Sequence, residues 1–150
     1  MQQKAPQAAA PQRIRIEATD ASGSFSGYLA LPASGTGPGL VIAQEIFGVN
    51  STMREVADYY AEEGYVVLVP DLFWRQQPDV ELGYSPEDWQ RAFGFYQGFD
   101  EAKGMEDMQA AITALRQRPE VQGGKVGALG FCLGGKLAYL AACRTDADVA

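Results

Sequence analysis

In the run Gly127-Ala128-Leu129-Gly130-Phe131-Cys132-Leu133-Gly134-Gly135, a thiol sits where a buried strand turns sharply into a helix. The spacing Gly130-x-Cys132-x-Gly134 is that of a nucleophile elbow with sulfur in place of a serine hydroxyl. Such a turn strains the backbone of its nucleophile and leaves little room two residues to either side. The glycines at 130, 134 and 135 supply that room. At the N-terminus of a helix starting near Leu133, the dipole and free amides favour a thiolate nucleophile at Cys132. The plainer fate of a lone cysteine is to be a small buried hydrophobe; the strand–glycine frame argues for the nucleophile. Cys143, late on the same helix without such a frame, takes the plainer reading. The 150 residues contain no histidine. An imidazole to take and return the proton is therefore missing, and the constellation reads as half of a catalytic apparatus.

A second segment, Ala43-Gln44-Glu45-Ile46-Phe47-Gly48-Val49-Asn50, follows another short apolar run. It falls at the C-terminal end of a buried strand, where open α/β sheets bind ligands. A carboxylate flanked by Ile46 and Phe47 is costly there unless it has a partner or a function. The backbone N–H groups of Ile46 and Leu133 are candidate oxyanion donors. A loop glutamate pointing at water is the plain alternative for Glu45.

The elements that must position these residues read as strands and helices in alternation. Arg13–Ala18 and Phe25–Leu31 alternate in polarity around the turn signal Asp20-Ala21-Ser22-Gly23, which predicts an antiparallel hairpin. Leu40–Ala43, Tyr65–Val69 and Lys125–Phe131 are apolar runs suited to strands covered on both faces. Asn50–Glu63 reads as a helix begun by Asn50, Ser51 or Thr52, with Thr52 and Glu55 as a capping box and Gly64 as its end. Ser85-Pro86-Glu87-Asp88 starts an aromatic helix bearing Trp89, Phe93 and Tyr96. Asp100 caps a longer helix to about Arg118, stopped by Pro119. Leu133–Cys143 is the helix after the elbow. The order predicts an α/β fold with a mostly parallel sheet.

A net charge of −7, with 19 acidic against 12 basic residues, argues against a nucleic-acid or anionic-membrane partner. No apolar run approaches the roughly 18 residues of a spanning helix. Cys132 and Cys143 would lie about 16 Å apart on one helix, too far to bridge. Two free thiols suit a reducing cytoplasm. The Ala-, Gln- and Pro-rich residues 1–12 read as a disordered tail, and 13–150 as part of one domain. No metal-ligand cluster or phosphate-binding loop is evident, so neither metal nor cofactor is expected.

The chain resembles the dienelactone hydrolase (carboxymethylenebutenolidase) family of the α/β-hydrolase fold. The resemblance runs from about Arg13 to Ala150. It rests on Val41–Asn50, the Met53-Arg54-Glu55 that follows, Val69-Pro70-Asp71-Leu72, Phe99-Asp100 and Gly127–Gly135. It implies an α/β-hydrolase-type sheet with an antiparallel N-terminal hairpin, ending after the elbow helix. It also implies Cys132 as the nucleophile attacking a small lactone or activated ester, Glu45 as the group that holds and deprotonates the thiol, and the amides of Ile46 and Leu133 as oxyanion donors. Arg91, or Trp89 if the alignment slips, corresponds to a substrate-binding position; a helix-surface arginine is the plain reading. Trp89, Phe93, Tyr96 and Phe99 could line a pocket, but aromatics at helical spacing are more often core, and core is expected. Arg75 has no assigned role.

The family's triad Asp and His have no counterpart before Ala150; Asp146 and Asp148 follow the helix too soon and are expected to be solvated. Residues 146–150 look like the approach to another strand, so the chain is expected to be the N-terminal portion of a protein of about 230–250 residues, monomeric when complete. Alone it is expected to turn over slowly or not at all, with the strand bearing Cys132 left as an exposed edge. The alternative is a non-catalytic or redox-responsive cysteine-elbow α/β protein.

Overall fold

The alternation of Ile14, Ile16, Phe25 and Leu29 delivers the expected hairpin. In the computed structural model, which describes residues 9–150, strand β1 (Gln12–Glu17) pairs antiparallel with β2 (Ser24–Ala30), with Ile16 opposite Phe25. Then follow β3 (Gly37–Ala43), α1 (Ser51–Glu62), β4 (Val66–Pro70), α2 (Pro86–Gln97), α3 (Glu101–Arg116), β5 (Val121–Gly130) and α4 (Leu133–Arg144). The five strands lie in the order β1-β2-β4-β3-β5. β2 joins β4 antiparallel, while β3 runs parallel to both β4 and β5. Most of the tail expected at residues 1–12 lies outside the described residues, and Gln12 already belongs to β1.

Helices cover both faces, which is why the central strands read as continuous apolar runs. Ile42, Val67 and Val69 face Met53, Ala57 and Ala61 of α1. On the other side Val41, Ala43, Leu68, Val126 and Ala128 pack with Met108, Ile112 and Leu115 of α3 and Leu137 and Ala141 of α4. Ile112 and Leu115 have no exposed surface, so truncating either costs about 2–5 kcal/mol.

Several boundaries differ from the sequence reading. β3 begins at Gly37 and β5 at Val121, because Gly37 pairs with Val121 ahead of a register shift that a purely apolar pattern does not reveal. Asn50 caps α1, its side chain accepting from the Met53 amide, so the Thr52–Glu55 box does not form. Thr52 instead accepts from the Tyr84 hydroxyl. Ser85 and Asp100 cap α2 and α3 as expected. The segment after α4 does approach β5: Val149 bridges Gly127 in parallel, with Ala128 N–H donating to the Val149 carbonyl at 2.8 Å. The edge of β5 is thus partly covered.

Candidate active site

Two parallel strands carry the candidate nucleophile and its carboxylate to one rim. Ala43, the last residue of β3, pairs in register with Gly130, the last of β5. Glu45 and Cys132 each lie two residues further on, beyond strands about 4.8 Å apart. Cys132 is exposed and occupies the N-cap of α4 with φ +57° and ψ −122°. A non-glycine residue in that region carries strain of order 1–3 kcal/mol, which the surrounding structure must enforce. The enforcement is steric. A Cβ on Gly134 would collide with the carbonyl oxygen of Ala43, and one on Gly130 with that of Gly134. α4 therefore starts tight against the end of β3. Gly135, grouped with them on sequence, meets only an ordinary contact at 3.4 Å.

The Glu45 loop is a tight turn. Gly48 N–H donates to the Glu45 carbonyl at 3.3 Å. Gly48 has φ +78°, and a Cβ there would strike the Val80 carbonyl. Gln44, with no exposed surface, donates from Nε2 to the Glu45 carbonyl at 3.2 Å and accepts at Oε1 from the Leu72 amide at 2.8 Å. Ile46 and Phe47 are buried and anchor the turn. The Glu45 carboxylate is half-buried. Among the described residues neither it nor the Cys132 sulfur has a hydrogen-bond partner, and the amides of Ile46 and Leu133 donate to no other group.

Around this rim stand aromatics that sequence spacing assigned to the core. Trp89, Phe93 and Tyr96 are 42%, 50% and 45% exposed, which corrects that expectation. α2 packs inward through Ala92 and through Phe95, stacked on Phe73 at 5.4 Å. The stripe one position away faces out. Of it, Trp89 meets the edge of Phe47 at 4.9 Å and so borders the Glu45 turn. Phe99 does join the core, against Phe73. Arg91 is exposed and holds no ion pair among the described residues.

Other charged groups are committed elsewhere. Arg75 forms a fork on the buried Asp107 (2.9 and 2.8 Å) and reaches Asp20 at 3.0 Å. Trp74 Nε1 also donates to Asp107. Asp148 is less free than expected: it accepts from the Val126 amide and pairs with Lys125 and Arg116, contacts that draw its pKa down to about 2. Asp146 pairs with Arg116. Asp71, at the end of β4, is buried and accepts from the amides of Phe73 and Asp79; burial still pushes its carboxyl up to about 6. Gln44 and Asp71 lie in the Val41–Asn50 and Val69–Leu72 motifs, yet their roles depend on amides that sequence spacing does not locate. Among the described residues no cluster of three or more His, Cys, Asp or Glu could hold a metal ion, and no helix is long and apolar enough to cross a membrane.

Comparison with known proteins points one way. The model of the dienelactone hydrolase family matches residues 25–150. A carboxymethylenebutenolidase of Pseudomonas putida is 41% identical over 138 residues, covering 90% of this chain and 57% of that protein. Carboxymethylenebutenolidase 1 of Cupriavidus pinatubonensis is 38% identical over 135 residues, 89% of this chain and 57% of its own length. A solved dienelactone hydrolase-like promiscuous phosphotriesterase from metagenomic libraries is 30% identical with TM-score 0.64, over 87% of this chain and 53% of that one. The dienelactone hydrolase of Anabaena variabilis, 23% identical with TM-score 0.62 over 94% and 61%, shares the fold. The chain spans about half the length of the curated relatives it matches.

Proposed function

This chain belongs to the dienelactone hydrolase family, and from that premise we propose that it carries the nucleophile half of a hydrolase for small lactones or activated esters. The observation that carries the reading is the Ala43–Gly130 register, which brings Glu45 and Cys132 to matching positions on one rim. In the proposed reaction the Cys132 thiol gives its proton to the Glu45 carboxylate. The thiolate adds to the substrate carbonyl carbon, and the amides of Ile46 and Leu133 stabilise the oxyanion. Collapse breaks the acyl C–O bond; the leaving oxygen takes the proton held by Glu45, and a thioester remains on Cys132. Hydrolysis of that thioester needs a base for water. With no histidine among the 150 residues, we propose that this chain alone acylates and then stalls.

Trp89, seated against Phe47, is the better placed of the two substrate-binding candidates; Arg91 is proposed only as a solvent-facing cation beyond it. The two free thiols favour the cytoplasm as the compartment.

Iodoacetamide labelling followed by peptide mass spectrometry tests the assignment. Both cysteines are exposed, so access alone favours neither. An activated nucleophile at the elbow should alkylate about 10-fold or more faster than Cys143. Equal rates would overturn the catalytic reading in favour of an inert cysteine-elbow module.

A further inference from the structure

We propose that Gln44 is the positioning residue for the oxyanion-binding amide of Ile46, an inference that rests on the acyl-transfer reading above. The Glu45 carbonyl and the Ile46 N–H belong to one peptide group. That group is planar and trans, so the two bonds point in opposite directions. Whatever fixes the carbonyl aims the amide. Two donors fix it: Gly48 N–H at 3.3 Å from within the turn and Gln44 Nε2 at 3.2 Å from the strand side. The Gln44 amide cannot be turned over. The Leu72 N–H, 2.8 Å away, needs an acceptor, so that atom is the oxygen and the other must be the donor.

The side chain thereby links the ends of two neighbouring strands. Leu72 lies two residues past β4, and the Glu45 turn two residues past β3. No other residue type performs both tasks in this space. Leucine or methionine would leave the buried Leu72 amide without a partner. Ionised glutamate would keep that partner but set an oxygen against the Glu45 carbonyl, repelling what glutamine holds. Asparagine is one methylene too short to span both. The Gln44 side chain spends its hydrogen bonds on the Leu72 amide and the Glu45 carbonyl, so it acts through the peptide it orients.

The test separates a reaction that makes an oxyanion from one that does not. Acylation of Cys132 by p-nitrophenyl acetate passes through a tetrahedral oxyanion. Alkylation by iodoacetamide is a displacement at a saturated carbon with iodide leaving, and draws nothing from the Ile46 amide. Both rates are measured on the 150-residue chain and on Gln44→Glu and Gln44→Met. Gln44→Glu preserves the Leu72 contact that Gln44→Met removes, and urea unfolding of both variants checks that each still folds. Acylation should fall about 10- to 100-fold in both variants, while alkylation of Cys132 stays within about twofold of the wild-type rate. Unchanged acylation would overturn the proposal, as would an equal fall in both rates, which is what a merely structural role produces. A wild-type chain that alkylates but never acylates at Cys132 would instead remove the acyl-transfer reading, and this inference with it.

Discussion

At the elbow rim, the Cys132 sulfur and the Glu45 carboxylate make no hydrogen bond to any described residue, and the Cys132 backbone is held at φ +57°. Behind the hairpin turn, Arg75 and Asp107 are spent to the last atom. Asp107, with no exposed surface, accepts twice from Arg75 and once from Trp74, and Arg75 turns its remaining nitrogen to Asp20 and Ser22. The guanidinium also lies 4.6 Å over the Trp74 ring. Both places gather reactive residue types, but only the rim leaves bonding capacity unused. Unspent capacity held in strained geometry marks a site for chemistry; spent capacity in relaxed geometry marks a clamp, here fastening the β1–β2 turn to α3.

The contrast breaks most sharply at its extremes. Cys132→Gly should abolish acylation while raising stability by about 1 kcal/mol, since glycine accepts the positive φ without strain. Acylation by p-nitrophenyl acetate and urea unfolding measure the two arms; a variant less stable than wild type would show that the elbow is not strained. Asp107→Ala should do the reverse. Removing Asp107 leaves the partly exposed Arg75 with Asp20 alone and forfeits its charged hydrogen bonds to Asp107, at a cost of about 1.5–3 kcal/mol. The fraction that remains folded should still alkylate Cys132 at the wild-type rate. If the loss is under about 1 kcal/mol, the value of an exposed pair, the clamp is ornamental and the comparison fails.

Sequence alone revealed these two regions unequally, for a physical reason. The elbow is local: the thiol and the glycines that constrain it lie within five residues, so spacing exposes it. The strand ends were likewise legible, because both faces of β3, β4 and β5 are covered and their apolar runs stop where the rim begins. The clamp joins positions 20, 75 and 107, and nothing in the spacing of Arg75 foretells Asp107. Gln44 lies within the Val41–Asn50 motif, yet its partner Leu72 is 28 residues away. The aromatic stripe of α2 misled because Trp89, Phe93 and Tyr96 have a helical period whichever way they face. Ala92 and Phe95, smaller or fewer, are the residues that turn inward.

Asp71 lies between the two regions and sharpens the distinction. It is as buried as Asp107, at 3% exposure against 0%, but its oxygens meet two backbone amides and no cation within hydrogen-bond reach. Arg13 helps only at longer range, and Asp79 opposes it. Burial therefore dominates, and the carboxyl rises from 3.8 to about 6. Between about pH 4 and about pH 6 the folded chain then holds more protons at this site than the unfolded chain, so Asp71's contribution to stability falls as pH rises through that window and levels off above it. Asp71→Asn cannot ionise, and carboxylates such as Asp148 titrate alike in both proteins and cancel. Urea unfolding across the window should show wild type losing roughly 2–3 kcal/mol relative to Asp71→Asn from its acid to its neutral end. The asparagine amide must face one of the two N–H donors, which offsets the two curves by a constant without changing their divergence. Curves that stay parallel would mean that two backbone amides answer a buried carboxylate as fully as an arginine does, and burial without a counter-ion would no longer separate Asp71 from the clamp.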